Sequence, residues 1–224
     1  MELLPLALVT VLIGAVVMLG MTVLRIRRLA REVPKDLQSF TDSNLRADAP
    51  VPFGYKCAWY VVQSESIDSV AKAFGLKRTI QANWKTGIDA AYEGLVFVSP
   101  PIEGWVFVVS TSFAKLSLES LRAKVTSSLE RLSNDFGQAQ FYATNRVVEL
   151  HIWARAANGQ VERAYGYDGE EGQTFWMEGE ATLPEVNIRT EIGEHVLMEI
   201  AGEWSISPID LDKLDLDPSL GLLA

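Results

Sequence analysis

The stretch that decides the fold is Arg146–Asp168, RVVELHIWARAANGQVERAYGYD. Two alternating runs meet at Asn158-Gly159, a dipeptide that accepts the positive φ angles of a two-residue type I′ turn. Pairing residues symmetrically about that turn sets Arg155 against Glu162, Trp153 against Ala164, His151 against Gly166 and Glu149 against Asp168. The other face carries Val148, Leu150, Ile152, Ala154 and Ala156 against Val161, Tyr165 and Tyr167, with Arg163 the one misfit. Side chains two apart share a strand face, so this apolar face is expected on the core. The Glu149–His151–Trp153–Arg155 face is then expected to meet water or a partner.

Working outward, CAWYVVQ (57–63), QAQFYAT (138–144) and QTFWME (173–178) read as strands from their aromatic and β-branched content. Within LVFVSPPIEGWVFVVS (95–110), two strands flank a connection that confines Pro100 and Pro101. Ser64 or Ser66 caps a helix with the stripe Ile67, Val70, Ala71 and Phe74, ended by Gly75. Asn83 caps a second, WKTGIDAAY, closed by Gly94. Ser117 opens the longest, whose Leu118, Leu121, Val125, Leu129, Leu132 and Phe136 fall at helical spacing up to Phe136–Gly137. Residues 179–192 read as irregular, and Glu194–Glu203 as a helix with Val196, Leu197, Ile200 and Trp204 inward. The order β-α-α-β-β-α-β-β-β-β-α predicts an α+β domain: a mostly antiparallel sheet with helices packed on one face.

The N-terminal end is of another kind. From Leu3 to Leu24 no residue is charged. As a helix at about 1.5 Å per residue this run reaches about 33 Å, enough to cross a bilayer's hydrocarbon core. Arg25, Arg27, Arg28, Arg31 and Lys35 follow it, and only Met1 and Glu2 precede it. Basic residues collect on the cytoplasmic side, so the run is expected to be an uncleaved single-pass signal-anchor, with the rest facing the cytoplasm. The predicted organisation is a transmembrane anchor with a basic collar at 1–35, a linker at 36–54, a soluble α+β domain at 55–210 and a tail at 211–224.

Of 20 basic and 29 acidic side chains, residues 1–35 hold five and two, leaving 15 against 27 beyond. Nucleic acid is therefore excluded as a partner of the acidic part, while the lipid bilayer is expected to be met through residues 3–24. A single cysteine, Cys57, excludes an internal disulfide and suits a reducing compartment.

Chemistry is sparse. The chain has no Gly-rich phosphate loop, no H-E-x-x-H, no G-x-S-x-G and no paired Cys ligands. No catalytic residue, metal or cofactor is expected. The histidines are His151 and His195; an enzyme centred on His151 with Glu149 or Asp168 is the alternative. Carboxylates crowd 168–180 (Asp168, Glu170, Glu171, Glu178, Glu180) without the alternating spacing of a calcium loop. With Trp153 and Trp176 read as exposed beside them, the expected partner-binding set is Glu149, His151, Trp153, Arg155, Asp168, Glu170, Glu171, Trp176 and Glu178.

Two resemblances carry further expectations. YVVQSESIDSVAKAFGL…N…VFVSP (60–100) is similar to the β-α-α-β LysM module, which implies binding of peptidoglycan sugars; Ser64-Glu65 stands where that module usually has Gly-Asp. Over roughly 55–210, N-W-K-T-G-I-D-A-A-Y, V-F-V-S-P-P-I-E-G-W, R-V-V-E-L-H-I-W-A-R-A and I-A-G-E-W-S-I-S-P resemble an uncharacterised family of bacterial membrane-anchored proteins associated with polymorphic toxins. That resemblance implies an immunity protein which binds and neutralises a basic toxin or effector. The alternatives are an envelope assembly or scaffold protein, a LysM-like cell-wall binder, or a small hydrolase at His151.

Overall fold

The computed structural model describes residues 37, 40, 45–187 and 192–224. The chain divides into two units, 1–39 and 40–224, and the fold below is that of the second. The run Leu3–Leu24 and the collar lie outside the described residues. Among the described residues no helix is long and apolar enough to cross a membrane.

The architecture is mixed: one nine-stranded antiparallel sheet with helices. The strands are β1 (Ala58–Gln63), β2 (Ile80–Asn83), β3 (Phe97–Val98), β4 (Trp105–Val109), β5 (Gln138–Asn145), β6 (Leu150–Ala157), β7 (Gln160–Asp168), β8 (Gln173–Glu178) and β9 (Leu220–Leu223). Their order is β2-β9-β3-β4-β1-β5-β6-β7-β8. The helices are α1 (Ile67–Ala73), α2 (Trp84–Tyr92), α3 (Leu118–Phe136), α4 (Leu183–Asn187) and α5 (Glu194–Trp204). Ser66, Asn83 and Ser117 accept the backbone N–H at the starts of α1, α2 and α3, as their sequence positions predict.

Helices cover both faces, where the sequence pattern predicted one. The cause lies in the central strands: AWYVVQ and WVFVV are apolar at nearly every position, so each face needs cover. On one face α1 and α3 bury Tyr60, Val62, Phe141, Ile152 and Ala154. On the other a single row crosses the sheet in register: Leu223, Phe97, Val109, Trp59, Tyr142, Trp153, Tyr165 and Met177. Trp59 stacks on Tyr142 at 5.2 Å and Trp153 on Tyr165 at 4.5 Å between ring centroids. Trp84 at the start of α2 meets Phe97 edge-on, Trp204 at the end of α5 lies 6.0 Å from Tyr142, and α4 reaches Trp153 through Glu185.

Two stretches expected outside the domain belong to it. Residues 45–54, read as linker, form a strap. Both Asp48 carboxylate oxygens accept the first N–H groups of α2, at 2.6 Å from Trp84 and 3.0 Å from Lys85. Phe53 wedges its ring edge-on against Trp59 and Phe107. Residues 211–224, read as a tail, supply β9, which stands between β2 and β3 with Leu223 fully buried. The short β2, absent from the predicted order, pairs among the described residues with β9 alone.

The hairpin turn is as predicted, with φ of 50° at Asn158 and 80° at Gly159. The register is not. Ala157 faces Gln160 and Ala156 faces Val161, but Arg155 faces Arg163, so Glu162 is an extra residue in a β-bulge. Trp153 therefore faces Tyr165, not Ala164. The bulge removes the misfit: Arg163 turns out of the apolar face and joins Trp153 and Tyr165.

Candidate partner-binding groove

The predicted site residues divide between the two faces of the sheet. His151 is fully buried; its Nδ1 lies 2.9 Å from Thr144 Oγ1 and its Nε2 3.3 Å from Glu149 Oε2. Trp153 is buried beneath α4, and its Nε1 donates to Glu185 at 2.9 Å. Arg155 lies 5.2 Å over the Trp204 ring and pairs with Glu162 of the bulge at 3.4 Å, although its ladder partner is Arg163 and not Glu162 as expected. Trp176 is buried on the opposite face, in the α3 core, where its Nε1 donates to Glu178, which also receives Arg122 at 3.1 Å. Both tryptophans read as exposed are thus structural. Buried Asp168 accepts the Glu170 N–H and shapes the loop that leaves Glu170 and Glu171 exposed. Burial pushes the Cys57 thiol up to about 12, an unreactive state. Among the described residues no group of three His, Cys, Asp or Glu side chains is placed to hold a metal ion.

What covers the hairpin's second face is an unexpected latch. Thr182 and Glu185 make the carboxylate half of a capping box: the Thr182 N–H and Oγ1–H both donate to Glu185 Oε2 at 2.8 Å. The same carboxylate receives Arg163 Nε at 2.8 Å and Trp153 Nε1. Burial would raise the Glu185 carboxyl, but these hydrogen bonds outweigh it and hold the group below its usual range. Arg163 Nη1 also donates to the carbonyls of Ala164, Glu178 and Gly179. With Glu185 turned to the sheet, Leu183 and Val186 are left 78% and 66% exposed. Gly179 begins this crossing against the bulge. A Cβ there would lie 1.9 Å from the Glu162 carbonyl oxygen, so no other residue fits.

Beside the latch opens a groove of about 740 Å³. One wall is the outer face of α5, where His195, Glu199 and Glu203 are exposed. Facing them are Ile209 and Asp210 of the short 3₁₀ helix Pro208–Lys213. Tyr55 of the strap end and Leu183 of α4 contribute exposed apolar surface. Two charges late in α5 oppose its stability, whereas Glu194 in its first turn favours it. Glu199 and Glu203 repel at (i, i+4), and Glu203 sits at the negative end of the helix dipole, whose last turn has no basic residue. Such a helix is improved by a cation arriving from outside. Asp210 is matched by Lys213, whose ammonium holds its carboxyl below the usual range.

The sequence pattern missed this groove because its parts come from three distant segments. One signal was present: T-L-P-E at 182–185 is a capping-box pattern within a stretch read as irregular. Comparison with known proteins adds nothing to the geometry, since no protein-family model, no curated protein and no solved structure matches the chain.

Proposed function

We propose that this chain is a membrane-anchored, non-enzymatic binding protein that captures a basic protein, a toxin or effector, and neutralises it by occlusion. The carrying observation is the α5 groove: Glu199 and Glu203 are set against each other and against the helix dipole, beside exposed Tyr55 and Leu183. Charge complementarity speeds encounter, and buried aromatic and aliphatic contacts supply tightness. The uncharged run Leu3–Leu24 and the basic residues 25–35 support a single-pass anchor that holds the domain at the cytoplasmic face of the inner membrane. The acidic balance beyond the collar keeps the domain off anionic headgroups and open to a basic visitor.

The test is a photo-crosslinking amino acid at Leu183 in the full chain, in native membranes. A basic protein trapped there, and lost on Glu199→Gln with Glu203→Gln or at high salt, supports the reading. Capture that is indifferent to salt and to both substitutions overturns it. A reporter active only in the periplasm, fused after Ala224, should stay silent; activity would overturn the orientation.

A further inference from the structure

We propose that the open edge of β8 takes an extended, basic segment of a partner protein as a tenth strand. This rests on the reading above, in which the partner is basic, and adds a second surface that acts through backbone pairing.

The sheet ends at β8, which pairs with β7 alone among the described residues. An edge strand turns the N–H and C=O groups of alternate residues outward, ready to pair. At the other end of the sheet, β2 is short, and the Asn83 side chain is tied to the Arg46 carbonyl of the strap. The transverse row that crosses the sheet ends at Met177, which is 63% exposed. A further strand would continue that row and cover it. A bulge at Phe175 turns Phe175 and Trp176 to the α3 core. Met177 and Thr174 are left as the exposed side chains of the opposite face.

Charge selects the occupant. Glu170 and Glu171 lie before β8 and Glu180 just beyond it, all exposed, and no basic residue occurs from Ala164 to Asn187. Glu178 is already matched by Arg122. A second copy pairing antiparallel would bring Glu170 and Glu171 of one chain towards Glu180 of the other, so self-association is repelled. A strand with Lys or Arg at its ends relieves the same charges.

The experiment is amide hydrogen exchange on the full chain in neutral detergent micelles with the hexapeptide Lys-Val-Lys-Val-Lys-Val amide at millimolar concentration. About tenfold slower exchange confined to 173–178, and lost when Glu170, Glu171 and Glu180 are all replaced by Gln, supports the proposal. Unchanged β8 exchange overturns it. So does equal protection by Glu-Val-Glu-Val-Glu-Val, or by the Lys peptide N-methylated at alternate residues. Protection on α5 instead of β8 also overturns it, leaving the groove reading intact. Glu199→Gln with Glu203→Gln should leave the β8 protection in place, so the two surfaces fail or stand separately.

Discussion

Glu185 Oε1 lies 2.6 Å from Arg163 Nη2, with both side chains only 6% exposed. One acidic residue of a five-residue helix thus closes α4 onto the second face of the β6–β7 hairpin.

Breaking this pair from one side leaves a buried charge alone, which costs about 3–5 kcal/mol. Glu185→Ala should lower the melting temperature sharply and release 181–187 to fast hydrogen exchange. The double variant Arg163→Met with Glu185→Leu should recover part of the loss, because no lone charge remains. A double variant less stable than Glu185→Ala would show that the pair is not what holds α4 down.

The latch also fixes a pH dependence. Hydrogen bonds from Arg163, Thr182 and Trp153 overcome burial and depress the folded carboxyl below its unfolded value of about 4.3. A depressed acid contributes stability in full above that unfolded value, and loses it as pH falls through the folded one. Denaturant melts from pH 6 to pH 2.5 should therefore fall more steeply for the native chain than for Glu185→Gln. Parallel curves would dismiss the linkage.

The groove carboxylates should show the opposite sign. Replacing Glu199 and Glu203 by Gln removes an (i, i+4) repulsion and an unfavourable charge at the end of α5, a gain of about 0.5–1 kcal/mol. The same variant should associate more slowly with a basic partner and show a flatter salt dependence in stopped-flow mixing. Stabilisation with undiminished capture would separate the groove from binding.

At the other end of the sheet, Leu223 is fully buried and pairs with both Ile80 and Phe97. Leu223→Ala should cost about 2–5 kcal/mol. Deleting 219–224 should free β2 and β3 and raise exchange at 80–83 and 97–98. Unchanged protection there would mean that β9 is dispensable.

Local signals in the sequence marked most of the elements. Serine and asparagine caps, the Asn158-Gly159 turn and the Leu118–Phe136 stripe each depend on neighbours within a few residues, and each is realised. What escaped depends on distant parts. Glu162 slips the ladder by one residue, and only the placement of Arg163 on an apolar face hinted at it. LGLL at 220–223 has no alternation, because one face of the strand is buried and the other half-buried, leaving no polar side to display. Trp153 shares its strand face with Arg155 and Trp176 shares its face with Glu178, yet α4 and α3 cover the two rings from opposite sides. The groove assembles Tyr55, Leu183, α5 and Asp210, whose proximity no local pattern encodes.

The position of β9 has a consequence for biosynthesis. Strands β2 and β3 leave the ribosome more than a hundred residues before the segment that joins them. That side of the sheet must wait, with its edges bare, until residue 223 has emerged. An N-terminal anchor would by then have been handed to the insertion machinery long before. On the proposed anchor, the chain would therefore complete its sheet while already tethered to a bilayer.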